Sequence, residues 1–144
     1  MKKDKIDFVA SGIIIDKNAV LMIWHSKLNA WLFPGGHIED NETMEEAVIR
    51  ECKEEVNLDT EVFDNRVGAL SDNNVVEENL PFCILKEPIK EPNNFHYHID
   101  FIYKLKPKNI EDFNLQPNTK WVKKDDIESL DTFDNVKKLL KKIL

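Results

Sequence analysis

Apolar positions run almost without a break through residues 8–15 (FVASGIII) and again through residues 19–24 (AVLMIW), with only Asp16, Lys17 and Asn18 between them. Two strands covered on both faces and joined by a short polar turn fit that pattern. Residues 31–33 form a short strand that stops at Pro34, Gly35 and Gly36. The rhythm then becomes helical. Met44, Val48, Ile49, Cys52 and Val56 fall within an arc of about 140° when residues advance by about 100° each. Thr43 with Glu46 three places on is a capping box, and no glycine or proline interrupts the residues behind it. These features predict a helix from Thr43 to near Val56, with Glu46, Arg50 and Lys53 on its wet side.

Beyond the helix, residues 59–63, 66–70 and 81–85 carry strand patterns, while 71–79 and the proline-punctuated 86–94 read as loops. Residues 95–104 (FHYHIDFIYK) alternate strictly. Tyr97, Ile99, Phe101 and Tyr103 are expected on a core face, and His96, His98 and Asp100 on a face toward water or a cleft. A polar loop over 106–120, a short strand at Trp121 and Val122, and an amphipathic helix over 133–143 close the chain, the last carrying Phe133, Val136, Leu139, Leu140 and Ile143 at helical spacing.

Composition narrows the classes. A chain of 144 residues, 42% hydrophobic with four glycines and six prolines, reads as a single compact domain over 1–144. No apolar run is long enough for a membrane span, and the lysine-rich start leads into a strand pattern, so a cytoplasmic protein without a membrane partner is expected. The two cysteines, Cys52 and Cys83, argue against a disulfide framework, since one sits on the helix core stripe. The formal charge of −7 disfavours a nucleic-acid duplex as partner. A single nucleotide stays open, because bridging cations neutralise both sides. A monomer or a homodimer is expected.

The helix carries the candidate chemistry. Glu51, Glu54 and Glu55 stand at i, i+3 and i+4, one patch along the edge of the apolar stripe. Held together and partly out of water, like charges repel and lose solvation, so a cation among them makes sense of the arrangement. A hard ion, Mg²⁺ or alternatively Mn²⁺, suits an all-oxygen site. Ala47, one turn back, is expected to leave space there for a metal-bound phosphate. The ordinary alternative is a solvated acidic face. The glycine pair in front of the helix argues against it, because Gly35 and Gly36 permit a tight turn or close approach of backbone to a ligand.

Gly36, five residues, Glu42, seven residues, then Arg50, Glu51, Cys52, Lys53, Glu54, Glu55, Val56, Asn57 and Leu58 resembles the Nudix box. Every charged position matches. Cys52 replaces an aliphatic residue and Asn57 the final glycine, and both keep the physics: a small buried hydrophobe and the next best left-handed cap. The resemblance implies an α/β fold, a Nudix-like α/β/α sandwich around a mixed sheet, and Mg²⁺-dependent hydrolysis of a phosphoanhydride in a nucleoside diphosphate linked to another moiety or in a nucleoside triphosphate. By that resemblance Glu51, Glu54, Glu55 and Gly36 make the metal site, Glu54 or Glu55 the general base, and Arg50 and Glu42 the supporting pair across the turn. A further acid is expected before the last strand, with Glu111 and Asp112 the candidates.

Four residues are candidates for substrate contact: His37, directly after the glycines, and the row His96, His98 and Asp100. That row also reads as a transition-metal triad or as a solvated edge. Trp24, Phe33 and Tyr97 could stack a base but are better explained as core. Two other functions fit the same fold: a nucleotide-sensing module without turnover, and an isoprenoid diphosphate isomerase, for which Cys83 would be the catalytic thiol.

Overall fold

The computed structural model describes residues 3–144, with Met1 and Lys2 outside the described part. Strand β1 (Ile6–Asp16) turns into β2 (Ala19–His25) through Lys17 and Asn18, both at positive φ, 47° and 62°. That pair of left-handed residues is the hairpin geometry whose twist matches paired strands. Short strands β3 (Ala30–Leu32) and β4 (Gly35–His37) follow, then α1 (Met44–Val56), β5 (Thr60–Val62), β6 (Cys83–Glu91), β7 (Asn94–Pro107), β8 (Thr119–Lys123) and α2 (Asp134–Ile143).

The sheet runs β3-β2-β1-β7-β5, with β4 added to β1, β6 to β7 and β8 to β2. It is mixed: β1 and β7 lie parallel from Ile6↔Tyr97 to Ile14↔Leu105, and the other pairs are antiparallel. Alternate residues of β1 and β7 feed two cores. Ala10, Ile14, Tyr103 and Leu105 pack with Ala47, Val48, Cys52 and Val56 of α1. Ile13 and Ile102 face the other way and pack with Val136, Leu139 and Leu140 of α2. The result is the expected α/β/α sandwich.

Helix α1 begins as its sequence dictates. Thr43 Oγ1 accepts from Glu46 N at 3.0 Å and the Glu46 carboxylate accepts from Thr43 N at 3.0 Å. Asn57 ends it at φ 54°, ψ 42°, the left-handed cap that its amide side chain tolerates.

Several expectations are corrected. Residues 66–70 form no strand, because Gly68 and Ala69 sit at φ 109° and 60° and the Glu77 carboxylate takes the Gly68 and Leu70 N–H groups. Residues 86–91 are strand and not loop: β6 pairs with β7 alone, and Pro88, opposite Tyr97, is tolerated in a strand with an open edge. On β7 the alternation is right and Tyr103 and Phe101 do join the α1 core, but Tyr97 and Ile99 are only half-buried, while on the other face His96 and Asp100 are buried. Ala47 is 0% exposed and packs inside the α1 core. Phe133 precedes α2 and is exposed.

Candidate active site

The glycine turn and α1 meet across β1. Strand β4 lies antiparallel to β1, with Ala10 opposite Gly36 and Ser11 opposite Gly35. The two glycines therefore face opposite sides of the sheet. A Cβ on Gly36 would stand 2.5 Å from Glu51 Cδ, whereas one on Gly35 would strike Ala10 O and, at 2.8 Å, Ser11 Cα. Each glycine is required by what approaches it: a carboxylate in one case and backbone in the other.

Arg50 is the hub of this site and is not on the wet side of the helix. Its Nε donates to Glu42 Oε2 at 2.6 Å and its Nη2 to Glu42 Oε1 at 3.0 Å, a two-pronged pair across the turn. Nη1 donates to Glu51 at 3.0 Å and to Glu54 at 3.2 Å, and Nη2 also reaches the His37 carbonyl at 3.0 Å. Glu39 N in turn donates to Glu42 at 3.0 Å, so the loop, the pair and the helix form one network. The guanidinium holds the Glu42 carboxyl below its ordinary range.

The three helix acids are not equivalent. Glu51 is largely covered and touches Arg50, Glu54 is mostly exposed, and Glu55 is half-buried. Burial, then the charge of Glu51, push the Glu55 carboxyl up to about 7, while the Gly35 backbone N–H pulls it partly back. Uncompensated negative charge remains at this patch after Arg50 has made its contacts, and the donors are all oxygen. That donor set fits Mg²⁺ or Mn²⁺.

The predicted substrate residues lie on the other face of the sheet, and they separate into two groups. His37 Nε2 stands 3.6 Å from Asp7 Oδ2, His96 Nε2 3.7 Å from the same oxygen, and His96 Nε2 3.3 Å from His98 Nε2. Desolvation, with the neighbouring His37 and His96, holds the His98 imidazole below its ordinary range. Asp100 belongs elsewhere: Ser11 Oγ–H donates to its Oδ2 at 3.0 Å, and its other oxygen is buried without a fixed N–H or O–H donor. The Glu87 carboxyl lies against it, raised first by burial and then by the Asp100 charge. A proton on Glu87 satisfies the orphan oxygen.

Asp7, Ser11 and Glu87 were not singled out from sequence. The shared parity of Asp7 and Ser11 on the first strand is visible there, whereas Glu87 falls in the segment expected as loop, and only the pairing of β1 and β6 with β7 brings the three beside the histidine row. Glu111 and Asp112 are exposed on a single 3₁₀ turn, Ile110–Asp112. Cys83 packs against the α2 core and burial pushes its thiol up, which disfavours the thiolate an isomerase would use.

A mixed sheet between two helices, with helix carboxylates set over a glycine turn, defines an α/β sandwich of the Nudix type. The NUDIX domain family model matches residues 7–142, and the chain belongs to that family. Over 64 residues it is 42% identical to the 8-oxo-dGTP diphosphatase of Proteus vulgaris, a match covering 41% of this chain and 56% of that protein. It is 48% identical over 50 residues to the RNA pyrophosphohydrolase of Pseudomonas aeruginosa, covering 33% of this chain and 31% of the relative. The chain thus aligns with about half or less of these curated relatives. A Nudix-family hydrolase from Clostridium perfringens superposes with a TM-score of 0.73 at 27% identity, covering 95% of both chains. The Caenorhabditis elegans Ap4A hydrolase shares the fold at a TM-score of 0.64 and 20% identity, over 96% of both chains.

Proposed function

We propose that the protein is a Mg²⁺-dependent pyrophosphohydrolase that cleaves a phosphoanhydride bond in a nucleoside triphosphate or in a nucleoside diphosphate linked to another moiety. The observation that carries this reading is the patch of Glu51, Glu54 and Glu55 set against Gly36, with Arg50 unable to offset all of its charge. Glu51, Glu54 and Glu55, with the neutral backbone oxygen of Gly36, would hold the cation. When bound, it neutralises phosphoryl oxygens and stabilises the leaving phosphate.

The chain's own residues do the rest. The carboxylate of Glu54 or Glu55 that stays free of the cation accepts the proton of the attacking water. Arg50, clamped by Glu42, is a positioning residue: it fixes the Glu51 and Glu54 carboxylates through its Nη1 and the turn through the His37 carbonyl. On the opposite face of the sheet His37 and His98 are the more open of the predicted substrate residues. His96 and Asp100 stand behind them, at 5% and 6% exposure, and act by holding His98 and Glu87. The same reading expects a cytoplasmic enzyme, since free thiols at Cys52 and Cys83 suit a reducing compartment, and among the described residues no helix is long and apolar enough to cross a membrane.

Product analysis with a panel of nucleoside triphosphates, nucleotide sugars and ADP-ribose, with and without Mg²⁺, tests the proposal beside Glu54→Gln and Glu55→Gln. Metal-dependent cleavage that collapses in either variant supports it. Tight nucleotide binding with no turnover on any substrate, unchanged by the substitutions, would replace it with the sensing module.

A further inference from the structure

The face of the sheet turned away from α1 gathers a second set of metal-competent side chains, of a different chemical kind. One ligand atom each from Asp7, His96 and His98 lies within 4.8 Å of the other two. We propose that Asp7, His96 and His98 form a binding site for a borderline transition-metal ion of the Zn²⁺ class, separate from the carboxylates of α1, with the exposed His37 beside it. The site does not depend on the metal chemistry read for α1, and where it is filled His96 and His98 serve the ion in place of the substrate role given to His98 above.

The spacing is the first argument. Ligands at about 2.0–2.1 Å around a tetrahedral zinc stand about 3.3–3.4 Å from one another. The His96 and His98 Nε2 atoms are 3.3 Å apart, His37 Nε2 and Asp7 Oδ2 are 3.6 Å apart, and His96 Nε2 and Asp7 Oδ2 are 3.7 Å apart. Each is at the ligand edge or a few tenths of an ångström beyond it.

The tautomer is the second. His96 Nδ1 lies 3.0 Å from the Asn94 carbonyl, which can only accept, so Nδ1 carries the proton. The lone pair of the neutral ring is then on Nε2, the atom turned toward His98 and Asp7. A backbone carbonyl behind one imidazole nitrogen is the arrangement that orients metal-bound histidines. His96 is also buried at 5% exposure, so its direction is set by packing and not by solvent.

Rigidity is the third. Asp7 and His98 are direct partners in the parallel β1–β7 ladder, His96 is one pleat back on the same face, and His37 comes from β4 paired to β1. No loop has to close to bring the first three together. Two imidazoles and one carboxylate select a borderline ion over Mg²⁺, which prefers oxygen. His37 reaches Asp7 alone, at 3.6 Å, and is 66% exposed at its side chain, so the fourth position is left to His37 or to solvent. An ion that took His37 would also fix β4, whose next residue back, Gly36, lies against Glu51.

The rival account is metal-free: His98 donates one hydrogen bond to His96, and Asp7 pairs with Lys5 at 3.4 Å. The full chain, stripped of metal and kept in excess Mg²⁺ to occupy oxygen sites, would be titrated with Zn²⁺ by calorimetry and with Co²⁺ by visible absorption. Binding of one Zn²⁺ per chain, with a tetrahedral Co²⁺ band, is expected. His98→Asn and Asp7→Asn should each weaken it at least about tenfold, and Glu54→Gln should not change it. Wild-type affinity no better than that of His98→Asn would overturn the site, as would affinity lost in Glu54→Gln but kept in His98→Asn. Thermal melts accompany each variant. If His98→Asn fails to fold, Asp7→Asn decides, because Asp7 sits near the strand start with a partly exposed side chain.

Discussion

Replacing Gly36 with alanine adds one methyl group at the most sensitive point of the site. Gly36 is not at positive φ, so alanine is permitted by the backbone. The new Cβ would stand 2.5 Å from Glu51 Cδ and Oε1 and 2.6 Å from Oε2. Contacts between such atoms settle near 3.5 Å, so the carboxylate must retreat by about 1 Å. A misplacement of that size at a catalytic group costs on the order of 100-fold in rate. Stability should hardly move. Loss of the 3.0 Å bond from Arg50 to Glu51 costs about 1 kcal/mol, and the entropy that alanine removes from the unfolded chain returns about 0.4–1 kcal/mol. Gly35→Ala is the control for sterics of the other kind. Its Cβ meets β1 backbone, which cannot give, so this variant should lose about 1–3 kcal/mol or more. The assay is metal-dependent product release across a Mg²⁺ series, with melting followed in parallel. Gly36→Ala turnover within about threefold of wild type, against the loss expected for a 1 Å shift, would refute the reasoning, and so would a melting loss equal to that of Gly35→Ala.

Three other outcomes follow from the same geometry. Asn57→Gly should hold or slightly raise the melting temperature and Asn57→Ala should lower stability by about 1 kcal/mol, because φ is 54° there and an alanine Cβ is unfavourable in the left-handed region. Glu42 is held below its ordinary 4.5 by Arg50, so its contribution is complete above that value and is lost as pH falls through the lower folded value; Glu42→Gln should flatten the acid side of a denaturant-stability profile. Glu87 is raised, so the sign reverses: the folded chain keeps a proton that the unfolded chain releases above about 4.5, and stability falls as pH rises from there, a slope that Glu87→Gln should remove in the same profile.

What could be read from the sequence was local. Helix α1 announced itself because its start, stripe and end are each written within a few residues: Thr43 with Glu46, Val48 with Cys52 and Val56, and Asn57. The β1–β2 turn was equally compact. The burial of His96 and Asp100 on β7 is decided elsewhere, by a parallel ladder to β1 some ninety positions earlier in the chain, with Asp7 opposite His98. Alternation tells which residues share a face but not which face is covered. Arg50 was expected in water because the helix wheel knows nothing of the loop that folds Glu42 back onto it. Pro88 suggested a loop, and only the open edge of β6 makes it acceptable in a strand.

Strand β4 is three residues long and serves both faces of the sheet, with Gly36 turned to α1 and its two neighbours turned to the histidine side. Because a strand alternates at every step, losing or gaining one residue just ahead of Gly35 would exchange the two faces at once. A loss would bring the His37 imidazole against Glu51, where only a hydrogen now fits, and a gain would turn His37 away from Asp7. Substitution can be absorbed at many places in this segment, but a change in its length cannot, so the spacing of the chain is itself inherited machinery, as binding as any side chain it positions.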